Sequence, residues 1–112
     1  MSISIAEIEI PNAENVKVTG HTLSVDLSDG RTISVPLKWF PRLTNATPKE
    51  RGHWRLIGGG HGIRWEDLDE DISVEGLIAG NPSSESRASF KKWLSQRQPR
   101  LTSRSSERRK HR

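Results

Sequence analysis

The chain has 112 residues, room for one small domain, and hydrophobic residues make up 31% of it, which is low for a globular protein. It contains no cysteine, so disulfides, thiolate metal sites and cysteine nucleophiles are excluded. Its net charge of +4 is unevenly divided: residues 1–80 hold 8 Lys and Arg against 12 Asp and Glu, a net of −4, whereas residues 81–112 hold 10 against 2, a net of +8.

This division predicts a folded domain over 1–80, an amphipathic helix over 81–98 and a disordered basic tail over 99–112. The start, MSISIAEIEI, lacks the basic n-region of a signal peptide, and no apolar run approaches the roughly 18–20 residues of a membrane span. The expected setting is the cytoplasm.

Ile3, Ile5, Ile8 and Ile10 form a β-branched run that breaks at Pro11, which predicts a half-exposed strand. Val16 and Val18 alternate with polar residues up to Gly20. Leu23, Val25 and Leu27, then Ile33, Val35 and Leu37, alternate with polar residues and Pro36 on either side of Ser28-Asp29-Gly30. Two period-2 runs flanking such a turn predict a β-hairpin, with Pro36 either ending its second strand or lying on an edge. Thr47-Pro48-Lys49-Glu50 predicts a short helix with a capping box and proline at its first position. Trp54 to Ile57 and Ile63 to Trp65 predict a second hairpin around the glycine run 58–62. A turn centred on Gly60 would set Arg55 opposite Trp65, close enough for a cation–π contact. Ser73 caps an expected helix from Val74 to Ala79, closed by Gly80. A last helix is expected over about 86–98, because Phe90, Trp93, Leu94 and Arg97 share one stripe. Early strands and later short helices predict an α+β fold with a small, mostly antiparallel sheet.

No catalytic constellation emerges. The glycine run lacks a following Lys-Ser/Thr and opens no helix, so it reads as a turn and not a phosphate loop. Asp67, Asp69 and Asp71 alternate like the opening of a calcium loop, but Ile72 and Ile78 stand where glycine and an acid would be needed. Glu50, His53 and His61 lack the spacing of a zinc motif, and no GxSxG elbow occurs. Neither metal nor cofactor is expected, and the chain reads as a non-enzyme.

Turn and cap chemistry leaves unexplained the stretch from Trp39 to Leu43, the glycine turn and the Asp69-Glu70-Asp71 run. These suggest one recognition surface for a partner, built from Trp39, Phe40, Arg42, Trp54, Arg55, Arg64, Trp65, Asp69, Glu70 and Asp71. The Trp93 stripe reads as packing on the chain's own domain. A nucleic-acid contact would fall to Arg97, Arg100, Arg104, Arg108, Arg109, Lys110 and Arg112, through counterion release without specificity. The tail has no aromatic residue to stack bases.

At VPLKWFPRL, ATPKERGHWRLIGGGHGIRW and LDEDISVEGLIAG, the chain resembles a bacterial family of small proteins, domain of unknown function 2442. The resemblance spans about Glu14 to Gly80 and implies a small α+β fold of a sheet and short helices. Some members carry the domain ahead of a helix-turn-helix. Members are often encoded beside a second small protein, in a pairing viewed as toxin–antitoxin-like with this family as the antitoxin. The expectation is therefore a non-enzymatic protein-binding module that pairs with a small toxin-like protein. The alternative is a nucleic-acid-associated regulator that works through the basic tail.

Overall fold

The computed structural model describes residues 10–97. The expected strand over Ile3–Ile10 and the expected tail over 99–112 lie outside these residues, apart from Ile10 itself. Six strands form two three-stranded antiparallel sheets. The first contains β1 (Ala13–Val18), β2 (Thr22–Leu27) and β3 (Thr32–Pro36), in that order. The second contains β4 (Arg55–Ile57), β5 (Gly62–Trp65) and β6 (Glu70–Ser73). The fold is α+β, with its strands divided between two sheets instead of gathered in one. Between the sheets run α1 (Pro41–Thr44) and α2 (Pro48–Gly52). After them come α3 (Val74–Ala79) and α4, helical over 87–97. Among the described residues no helix is long and apolar enough to cross a membrane.

The β2–β3 hairpin follows the alternation of its sequence. Leu23, Val25, Leu27 and Val35 are buried, and β3 ends at Pro36. Its turn is fixed by Gly30 at φ 94° and by Asp29, whose carboxylate accepts from the Arg31 backbone and side chain. The capping box of α2 is complete: Thr47 Oγ1 accepts from Glu50 N–H at 3.1 Å, and Glu50 accepts from Thr47 N–H at 2.9 Å. Ser73 caps α3, and Gly80 closes it in the left-handed region.

The second hairpin differs from expectation by one residue. Its turn takes four residues, Gly58 to His61, closed by the Ile57–Gly62 pair, so Arg55 stands opposite Arg64 and not Trp65. A slip of one residue exchanges the faces of a strand. Trp65 accordingly points into the core, and the expected Arg55–Trp65 contact does not form. Gly60, at φ 97°, lies where a Cβ would stand 2.7 Å from the Asn12 Cβ. That close approach is where the glycine turn meets the start of β1.

The inner faces of both sheets, the Leu37–Trp39 turn, α1 and α3 enclose one contiguous core. Trp65 is its largest fully buried side chain, and its indole N–H donates to the Arg51 carbonyl at 2.9 Å. The indole thereby satisfies its only polar group. Trp93 joins the same core from α4, stacked on Phe90 with ring centres 5.8 Å apart.

Candidate functional site

Two polar regions meet at β6, one on each face of the second sheet. On the outer face, Arg55 and Arg64 are cross-strand neighbours, as are Arg64 and Asp71. Two arginines directly opposite repel. Glu66, just beyond β5, relieves this by accepting from Arg55 Nε at 3.1 Å and pairing with Arg64 Nε at 3.0 Å. Arg64 then spreads its fork to Asp71 at 2.8 Å and Asp69 at 2.9 Å. Hydrogen bonds to Asp71, then Asp69, then Glu66 push the Arg64 guanidinium further toward its charged form. Bonds from Arg55 and then Arg64 hold the Glu66 carboxyl below its usual range. His53 Nδ1 lies 2.8 Å from Asp67 alongside. Asp67 thus faces His53 while Asp69 and Asp71 share Arg64, and among the described residues the three join no cluster able to hold a metal ion.

Asp69 joins this face to the inner one. Its backbone is left-handed, φ 52°, a conformation aspartate tolerates better than bulkier residues. Its carboxylate reaches Arg64, while its carbonyl accepts from Arg42 Nη1 at 3.0 Å. Arg42 Nη1 also donates to the Leu68 carbonyl at 2.9 Å, while its Nε donates to both Glu85 oxygens at 3.0 and 3.1 Å and its Nη2 to Glu85 Oε2. This ion pair is largely removed from water, with side chains 14% and 12% exposed. The Arg42 bonds hold the Glu85 carboxyl below its usual range.

The same guanidinium covers one side of Trp93 at 5.1 Å from the ring centre, and Arg97 covers it at 4.8 Å. Arg97 in turn donates to both oxygens of Glu50 at 3.0 Å. Two ion pairs whose arginines both pack on Trp93 fasten α4 to the domain, one from the segment before the helix and one from its described end.

Between β6, α3 and the 81–86 segment lies a groove of about 640 Å³. The inner-face residue Glu70 opens onto it. Glu70 is 9% exposed, yet its carboxylate makes no hydrogen bond with any described residue. Burial raises its pKa to about 7; Arg42 offsets part of that, while Glu85, Asp71 and Asp69 add to it. Asn81, Ser83, Ser84 and Ser89 supply further polar groups to the groove wall. Such an arrangement presents a proton acceptor or a negative charge in a sheltered setting.

The residues expected to form one recognition surface divide accordingly. Arg55, Arg64, Asp69 and Asp71 are brought together on the outer face. Arg42 and Glu70 meet at the groove. Phe40 and Trp65 are core residues, 3% and 0% exposed; packing removes both from any surface a partner could touch. Trp39 and Trp54 are half-buried against the core, and the Trp39 carbonyl accepts from Ser83 N–H at 3.0 Å. Arg97, expected to meet nucleic acid, is bound to Glu50 instead, and the other six tail residues lie outside the described ones. Glu85, Ser83 and Ser89 were missed as site residues. Their only sequence signal is that Glu85 is the single acid of residues 81–97, where the basic residues Arg87, Lys91, Lys92 and Arg97 all follow it.

A family model described as "Protein of unknown function (DUF2442)" matches residues 13–83. The chain belongs to this DUF2442 family. No curated protein matches it. Among solved structures, this DUF2442 chain is similar to a crystal structure of a protein of unknown function from Rhodospirillum rubrum. The identity is 29% and the TM-score 0.61, over 69% of this chain and 95% of that one. It is also similar in fold to the solution structure of an uncharacterised protein from Chromobacterium violaceum. There the identity is 20% and the TM-score 0.60, over 86% and 84% of the two chains. The family match ends at residue 83, just before Glu85, so the Arg42–Glu85 bond ties the matched domain to the segment beyond it.

Proposed function

We propose that this protein is a non-enzymatic protein-binding module of the cytoplasm, antitoxin-like, that pairs with a small toxin-like protein. The observation that carries the reading is the charged array on the outer face of the second sheet. There Arg55, Arg64, Glu66, Asp69 and Asp71 are held in register by one another. Mutual pairing fixes these side chains before any partner arrives, and preorganisation of this kind lowers the cost of binding.

The test is capture from a native bacterial lysate with nuclease present, using the full chain and an Arg64→Ala/Asp71→Asn variant. A small protein should be retained by the first and lost from the second. Retention of no specific protein by the full chain would end the proposal. A second reading, a nucleic-acid-associated regulator, draws on the net charge of +8 in residues 81–112. It requires the captured material to vanish with nuclease and with rising salt.

A further inference from the structure

Glu70 is the one buried acid of the described domain, and packing alone gives no reason for a carboxyl there. Its neighbours on the inner face of β6 are apolar. Ile72 continues the face, Phe40 and Leu77 line the same groove, and the carboxylate lacks a hydrogen bond to any described residue. An apolar side chain would fill such a position at lower cost. The charged groups nearest it are Arg42 from α1 and Glu85 from the segment before α4, with Asp69 and Asp71 acting from the outer face, where their carboxylates bind Arg64. Arg42 is already committed to Glu85 and to two carbonyls. The groove therefore holds two carboxylates, Glu70 and Glu85, against one cation whose hydrogen bonds are spent on Glu85 and two carbonyls.

We propose that the Glu70 groove is a binding site for a basic side chain, arginine or lysine, presented by the protein partner. This rests on the protein-binding reading above and gives that partner a chemical signature. An incoming guanidinium or ammonium would donate to Glu70 and to the serine hydroxyls of Ser83 and Ser89 across the groove. The cation balances the surplus negative charge and donates to the carboxylate in place of the water that reaches it from the groove. Since Glu70 must be ionised to act, occupancy rises as pH passes through about 7.

The test is a nuclear magnetic resonance titration of the ¹⁵N-labelled full chain with the peptide acetyl-Gly-Arg-Gly-amide, using acetyl-Gly-Glu-Gly-amide as control. At about pH 8 the arginine peptide should shift the amides of residues 69–73 and 83–89, and the glutamate peptide should not. Its affinity should fall about tenfold or more at about pH 5, and likewise in Glu70→Gln, which removes the charge and keeps the shape. Equal shifts in wild type and Glu70→Gln would overturn the proposal, as would the absence of shifts at the groove. Movement of tail amides in Glu70→Gln with no peptide added would assign the groove to the chain's own basic residues, and would also overturn it. The titration needs no captured partner, so its outcome is separate from that of the lysate experiment. A partner retained equally by wild type and Glu70→Gln would refute the groove and leave the protein-binding reading standing.

Discussion

Replacing Glu70 by glutamine should make the domain more stable at neutral pH and alter how its stability depends on pH. The folded carboxyl has its pKa raised from 4.5 to about 7, chiefly by burial. It therefore holds its proton more tightly in the folded chain than in the unfolded one. Between those two values the folded state carries more protons, so stability falls as pH rises through the window. The side chain's contribution is most favourable below pH 4.5. It is lost progressively up to about pH 7 and level above that. Each tenfold change in proton affinity is worth about 1.4 kcal/mol, which gives about 3 kcal/mol for the whole window. Water reaching the carboxylate from the groove reduces this to about 2 kcal/mol. The assay is urea unfolding followed by tryptophan fluorescence, with both proteins measured across the window. The difference between Glu70→Gln and wild type should open steadily from about pH 5 and level off near about pH 8, at about 2 kcal/mol in favour of the variant. Histidines and the other carboxylates are common to both chains and cancel in the difference. Parallel stability curves across the window would refute the argument that Glu70 is buried and unpartnered.

Trp93→Ala should cost about 3 kcal/mol in the same urea assay, because it removes the ring that both Arg42 and Arg97 cover and releases α4 from the core. Arg42→Lys should cost about 2 kcal/mol, since a lysine cannot serve Glu85 and two carbonyls together. Hydrogen exchange should then quicken in α4 before it does in β2. Arg64→Ala should leave the melting temperature close to wild type, because its partners are exposed and solvated. A large drop would show that the outer array holds the fold together. Gly60→Ala should destabilise by about 2 kcal/mol or more, as its Cβ would meet Asn12 and the Ala13 carbonyl. Gly59→Ala, with open space around it, should cost about half as much. Comparison of the two unfolding midpoints separates collision from backbone strain.

The elements governed by local chemistry were legible in the sequence. The Asp29-Gly30 turn, the Thr47–Glu50 capping box and the Ser73 and Gly80 caps depend only on near neighbours. The family was legible too, as a resemblance carried by the stretches VPLKWFPRL, ATPKERGHWRLIGGGHGIRW and LDEDISVEGLIAG. The second hairpin was placed but not registered, because a turn of five candidate residues does not say which pair closes it. That one-residue slip misplaced Trp65 on the surface. β6 went unread as a strand because Asp69-Glu70-Asp71 has the composition of a solvated loop. Only the tertiary arrangement turns Glu70 inward and Asp71 outward. The same holds for Arg42, Glu85, Arg97 and Glu50. Their pairings span 43 and 47 residues, and no local pattern announces contacts at that distance.

The central claim is that this DUF2442 domain binds a protein through its second sheet. Its most direct test is nuclease-treated capture by the full chain beside the Arg64→Ala/Asp71→Asn variant, with the melting temperature of each measured in parallel. The expected result is a small protein retained by the wild type and lost from a variant that is still folded. Equal retention by the two folded chains, or no specific protein on either, would contradict the claim.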